Sequence, residues 1–173
     1  LPRPAWMSEE HVLLEEQADR FLKSEFVPHI EKWHEEKIYP REVWTKAGKA
    51  GLLCAMIPEE YGGSGGNFGH EAVINRAYSL AGMDSFGAPL HSGIVAPYIM
   101  RFGTEEQKKR WLPKLASGEY VGAIAMSEPG AGSDLQRIRT GSQEDCDAGA
   151  GLAVEPAVRI IVFGTEFDPR DIA

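Results

Sequence analysis

Apolar residues recur at helical spacing through the first two-thirds of the chain, and proline and glycine cut that pattern into short pieces. Leu14, Ala18, Phe21, Leu22 and Phe26 share one face of a helix predicted over 8–26, with Ser8 as N-cap and Glu9-Glu10 at the positive end of its dipole. Pro28 interrupts that face, so a second helix carrying Ile30 and Trp33 starts there. Pro40 opens a third, with Val43, Trp44 and Ala47 inward and Gly51 as its stop. Leu52–Ile57 is a short apolar run, ended by Pro58 and followed by a turn-rich loop over Glu59–Gly66. The helical pattern resumes over His70–Ala81 and Ala88–Phe102, where Pro97 predicts a kink. Thr104 and Gln107 form a capping-box signal for one more helix, which Pro113 is expected to break after Leu112. A bundle over 8–118 then packs around Phe21, Leu22, Phe26, Trp33, Trp44, Ile94 and Trp111.

The texture changes near residue 118. Tyr120–Ser127 is apolar, flanked by glycines and short enough for a buried strand, and Glu128–Asp134 follows as a loop of small residues. From Gly141 the chain is small and acidic. Residues 141–157 are expected to lack regular structure and the tail to pack poorly, with Val158–Phe163 as a candidate strand. The expected organisation is a helical domain over 1–118, the start of a β domain over 119–140, and an atypical tail over 141–173.

Composition sets outer limits. A net charge of −8 argues against a general binder of nucleic acid or anionic membrane, which needs clustered Lys and Arg. No apolar run approaches membrane-spanning length, and Leu1-Pro2-Arg3-Pro4 has no apolar signal core. Cys54 and Cys146 match no metal or redox spacing and suit a reducing compartment. His11, His29, His34, His70 and His91 show no metal-ligand spacing and read as exposed or capping residues, so no metal site is expected. Glu15-Glu16 and Glu35-Glu36 read as solvated helix faces, and Ser133-Asp134 has no histidine near it in sequence to argue a hydrolase triad.

The run from Ile124 to Asp134 carries the most chemistry. A strand that ends in a Gly-rich turn points several backbone N–H groups one way, a concavity that binds phosphate or the electron-rich edge of a cofactor. Ser127 and Ser133 add hydroxyl donors. By itself such a loop is a weak signal, because loops of small residues more often just turn the chain. It is neither a P-loop, since no Lys follows Gly132, nor a Rossmann fingerprint.

Ala125-Met126-Ser127-Glu128-Pro129-Gly130-Ala131-Gly132-Ser133-Asp134 closely resembles the signature of the acyl-CoA dehydrogenases. Gly122–Met126 followed by Asp134-Leu135-Gln136 is most like their long-chain branch. Pro58-Glu59-Glu60-Tyr61-Gly62-Gly63 after Gly51-Leu52-Leu53 is a second landmark, and Phe102–Lys108 followed by Trp111–Glu119 a third. The resemblance covers residues 8–140. It implies a mainly α chain, a helical bundle of the acyl-CoA dehydrogenase type followed by the first strands of a truncated β domain. It also implies FAD as cofactor, acyl-CoA as substrate, electron-transfer flavoprotein as redox partner, homo-oligomers, and a cytoplasmic (bacterial) or mitochondrial-matrix (eukaryotic) location. In this family a glutamate removes the α-proton of the thioester while the β-hydride passes to flavin N5.

Carried over by resemblance, the flavin-binding segment is Ile124, Ala125, Met126, Ser127, Glu128, Pro129, Gly130, Ala131, Gly132 and Ser133. Met126 and Ser127 would meet the pyrimidine edge of the ring, and Gly132-Ser133 the pyrophosphate. Ile124 stands where several members carry Tyr. Ser133, Leu90 and Ile94 match acyl-CoA positions, although Leu90 and Ile94 read equally well as ordinary helix core. After Thr140 the family pattern is absent: no Trp and no Lys follows Lys114. No residue here matches the family's catalytic glutamate, which lies on a C-terminal helical domain, so no catalytic residue is assigned and the chain is expected to be inactive alone. A helical assembly module that keeps the fold without the chemistry is the alternative.

Overall fold

The computed structural model describes residues 4–125, 149–155 and 158–163. Helix α1, Glu9–Glu25, starts at Ser8 through a capping box in which the His11 side chain takes the reciprocal place. Its Ala18 and Leu22 are buried, and Phe26 just beyond it joins them in the core. A 3-10 turn over Val27–His29, with Pro28 in its first turn, leads to α2, Ile30–Glu36. Helix α3, Arg41–Lys49, buries Val43, Trp44 and Ala47. It ends with the Gly51 N–H bonded to the Gly48 carbonyl and the Leu52 N–H to that of Ala47. That is a Schellman closure, and it needs the positive φ of 71° that Gly51 supplies.

Leu52–Ala55 and Ile57 are buried without forming a strand or helix, so this apolar run is a core-threading loop. Helix α4, Phe68–Leu80, lies chiefly against α1. The predicted Ala88–Phe102 helix is real but broken into three parts: α5, Ala88–Leu90, a π turn over His91–Val95, and α6, Ala96–Phe102. The Ala96 N–H reaches back five residues to the His91 carbonyl. Pro97 lacks a donor and crowds the carbonyl four residues earlier, and the wider turn gives that carbonyl room. Helix α7, Glu105–Ala116, carries the Thr104–Gln107 capping box.

Several expectations are corrected. Helix α7 runs through Pro113 to Ala116 rather than stopping at Leu112. Continuing buries Leu115 and Ala116, which outweighs the one backbone bond that proline forfeits. Ile94 is 41% exposed and not a core residue, because Val95 takes the inward place in the widened π turn. Phe21 is half-buried at the core's margin, while Leu22, Phe26, Trp33, Trp44 and Trp111 are buried as expected.

Strand β1, Val121–Ala125, follows the helices. A further correction lies in 141–157, where Gly149–Glu155 forms strand β2 instead of irregular chain. It pairs antiparallel with β3, Val158–Phe163, which also pairs antiparallel with β1, giving the order β1-β3-β2. The β-branched run of β3 offers two backbone edges, and a neighbouring edge recruits even a Gly- and Ala-rich segment. Residues 141–148 lie outside the described residues.

Candidate functional site

The elements converge at the start of β1. His91 opens the π turn and is fully buried, contrary to the exposed or capping role expected of it. Its Nδ1 accepts the Gly122 N–H at 3.0 Å, and its Nε2 donates to the Leu115 carbonyl at 3.1 Å. Those two roles fix the neutral tautomer with the proton on Nε2. Burial pushes the imidazole down to about 4; the Leu115 carbonyl opposes this and the Arg41 charge reinforces it. His91 therefore serves as a bridge between backbones rather than as an acid or base at neutral pH. A stripe of apolar residues at helical spacing, Ala88, Val95 and Ile99, placed it on the inward face, and that was the signal that could have found it.

The Cys54 N–H donates to Ser92 Oγ at 2.9 Å, and Cys54 Sγ lies 3.7 Å from His91 Nε2. Burial, with the Glu71 carboxylate adding to it, pushes the Cys54 thiol up to about 12, so it is no thiolate nucleophile at neutral pH. Glu71 is 1% exposed, and burial raises its carboxyl to about 7 despite an Ala55 backbone hydrogen bond. His11 and His70 do act in helix caps, and His29 and His34 are exposed.

The chain enters β1 under several constraints. The Arg41 guanidinium donates to the Glu119 carbonyl, and the Tyr120 N–H donates to the Lys114 carbonyl at 2.9 Å. A Cβ at position 122 would sit 2.5 Å from Val95 Cγ1, so only glycine lets the strand lie this close to the π turn.

Of the residues named from sequence, Ile124 and Ala125 lie in β1, and Ile124 packs half-buried against the helical core. Leu90 is half-buried at the end of α5, and Ile94 stands partly exposed on the π turn that contacts β1. Met126, Ser127, Glu128, Pro129, Gly130, Ala131, Gly132 and Ser133 lie outside the described residues. Among the described residues no group of three His, Cys, Asp or Glu could hold a metal, and no helix is long and apolar enough to cross a membrane. A groove of about 480 Å³ between α1 and α4 includes Glu9, Glu10, Leu13 and His70 in its lining. Its two carboxylates suit it poorly to an anionic thioester.

Residues 8–119 match the family described as acyl-CoA dehydrogenase, N-terminal domain. The chain belongs to the acyl-CoA dehydrogenase family. It is 43% identical over 138 residues to the long-chain specific acyl-CoA dehydrogenase, mitochondrial, of Sus scrofa, covering 80% of this chain and 32% of that protein. The crystal structure of an acyl-CoA dehydrogenase from Geobacillus kaustophilus superposes with a TM-score of 0.73 at 42% identity, over 79% of this chain and 36% of that one. An acyl-CoA dehydrogenase complexed with FAD from Bacillus anthracis gives 0.71 at 25% identity, over 95% and 38%. The chain thus spans about a third of the length of the acyl-CoA dehydrogenases it resembles.

Proposed function

We propose that this chain supplies the N-terminal helical domain and the flavin-binding segment of an FAD-dependent acyl-CoA dehydrogenase, which desaturates acyl-CoA thioesters between Cα and Cβ. The observation that carries this reading is the join at Ala125. A family-matched helical domain delivers strand β1 directly into Met126–Ser133, the segment richest in small residues and hydroxyls.

The donor chemistry of that segment fits FAD. Backbone amides, with the Ser127 and Ser133 hydroxyls, suit the acceptor atoms of a pyrimidine edge and the oxygens of a pyrophosphate. FAD, when bound, supplies the acceptor for the substrate's β-hydride. The chain's own part is to bind and orient: Ile124–Ser133 would form one wall against the flavin, and Ser133 would also contact the acyl-CoA. Leu90 and Ile94 would offer apolar surface to the acyl chain and keep water from it.

The partners that go with this reading are acyl-CoA and electron-transfer flavoprotein, in a homo-oligomer, cytoplasmic in a bacterium or mitochondrial in a eukaryote. The test is a visible absorption spectrum of the purified protein, with released flavin identified after denaturation. Uptake of added FAD, weak because the chain supplies one wall of the site, is the expected result. A colourless protein that does not take up added FAD would instead support a helical assembly module that keeps the fold without the chemistry.

A further inference from the structure

One buried residue of the helical domain holds strand β1 through a hydrogen bond. The Gly122 N–H, at the second position of β1, is directed to His91 Nδ1 at 3.0 Å. His91 is in turn anchored at its other nitrogen by the Leu115 carbonyl in the last turn of α7, at 3.1 Å. The imidazole ring also lies 5.1 Å, centroid to centroid, from the Trp44 ring of α3. It is therefore wedged among three helical elements and reaches the sheet with one lone pair. The π turn makes this possible, since it sets His91 and Val95 against the strand together, Val95 touching where Gly122 has no side chain.

The geometry points to His91 as a positioning residue that fixes the Gly122 amide through Nδ1, and with it the placement of β1 and the start of the flavin-binding segment. This rests on the flavin reading above. His91 meets neither substrate nor cofactor in this role. Its imidazole is rigid, has an acceptor and a donor on opposite edges, and stays neutral, so it holds a strand amide and a helix carbonyl at a set separation. Loss of the Nδ1 acceptor leaves a buried N–H unpaired on the strand that leads into Met126.

The experiment separates the two edges of the ring in the 173-residue chain. In His91→Asn the carboxamide oxygen falls near Nδ1 and can still accept from Gly122; in His91→Gln the carboxamide falls near Nε2, where its NH2 can donate to the Leu115 carbonyl but no acceptor reaches Gly122. Both variants leave a gap in the core, so both should lower the melting temperature. Amide exchange across Val121–Ala125 and FAD affinity by flavin fluorescence are then compared. His91→Gln is expected to lose about tenfold in Gly122 protection and in FAD affinity, the scale of one unpaired buried amide, while His91→Asn stays near wild type. Equal changes in the two variants would make His91 an ordinary core residue and overturn the proposal. If the exchange rates split but no chain, wild type included, takes up FAD, the flavin reading fails and with it any role of His91 toward a cofactor. Should His91→Gln not fold, Gly122→Ala tests the same placement, because its Cβ meets Val95. That variant should weaken FAD about as much, and Val95→Ala added to it should restore the affinity. Unchanged affinity in Gly122→Ala would overturn the proposal.

Discussion

The Tyr61 hydroxyl donates to Glu105 Oε2 at 2.7 Å, and the same carboxylate receives Lys108 Nζ at 2.8 Å on its other oxygen. Tyr61 belongs to the Pro58–Gly63 loop, and Glu105 is the first residue of α7. Two of the sequence landmarks, 44 residues apart, are thus one structural unit. The bond to Glu105 is the main reason the phenol is pushed up to about 12, and it joins Lys108 in holding the carboxyl below its ordinary range.

Removing that hydroxyl should loosen the loop from the helix. Tyr61→Phe is expected to lower the melting temperature by about 3–6 °C, as the loss of one hydrogen bond does in a domain of this size. Glu105→Gln should cost less in Tyr61→Phe than in wild type. Additive losses in calorimetry would mean that the two side chains do not act together.

Stability should depend on pH through two buried groups of opposite sense. His91 is depressed from 6.5 to about 4, so between those values the unfolded chain takes up a proton that the folded chain refuses. Stability from this group falls as pH drops from about 6.5 to 4, by on the order of 3 kcal/mol. Glu71 is raised from 4.5 to about 7, so its stability is full below 4.5 and is lost as pH rises to 7, by a similar order. The two slopes oppose each other between about pH 4.5 and 6.5. Glu71→Gln removes one of them, and urea unfolding should show it more stable than wild type at pH 8 by about 2 kcal/mol or more, with little gain at pH 4.5. A gain independent of pH would show that Glu71 is not held protonated.

Pro113 should be replaceable at a profit in stability. It stands inside α7, where it withholds a backbone donor and crowds the preceding turn. Pro113→Ala restores both and gives up the smaller advantage of a stiffer unfolded chain. The expected change is a stabilisation of about 2 kcal/mol by urea unfolding. A loss would mean that the ring's packing outweighs the helix term.

What was legible in the sequence follows from how local each signal is. The caps at Ser8 and Thr104 and the stop at Gly51 depend on residues within a few positions, and all three appear where the pattern places them. The continuation through Pro113 depends on what Leu115 and Ala116 pack against, which no local window contains. Strand β2 depends on the neighbouring edge of β3, while its own composition of Gly and Ala resembles a loop. His91 and Glu71 were passed over because polar residues are ordinarily exposed, and each is buried by a tertiary partner: the Gly122 amide for one, the Ala55 amide for the other. The proposed flavin segment rests on none of this, only on the resemblance of its residues to the family signature.

A polypeptide of these 173 residues should not oxidise acyl-CoA measurably by itself. The reaction needs a base at the α-carbon and flavin N5 at the β-carbon together, and their placement supplies much of the acceleration. Ile124–Ser133 would provide one wall of the flavin site, and no glutamate here matches the position of the family's base. One wall buries too little of the ring to offset its immobilisation, so flavin affinity should be weak, and bound flavin would find no base in place. The measurement adds FAD, an acyl-CoA series and an artificial electron acceptor to the purified chain and follows acceptor reduction. The expected rate is that of the protein-free control. Turnover above that control, lost on Ser127→Ala and Ser133→Ala, would refute this and would require a carboxylate within the chain to act as the base. Turnover that survives both substitutions would instead point to a contaminating enzyme, since the chemistry would not depend on the segment proposed to hold the flavin.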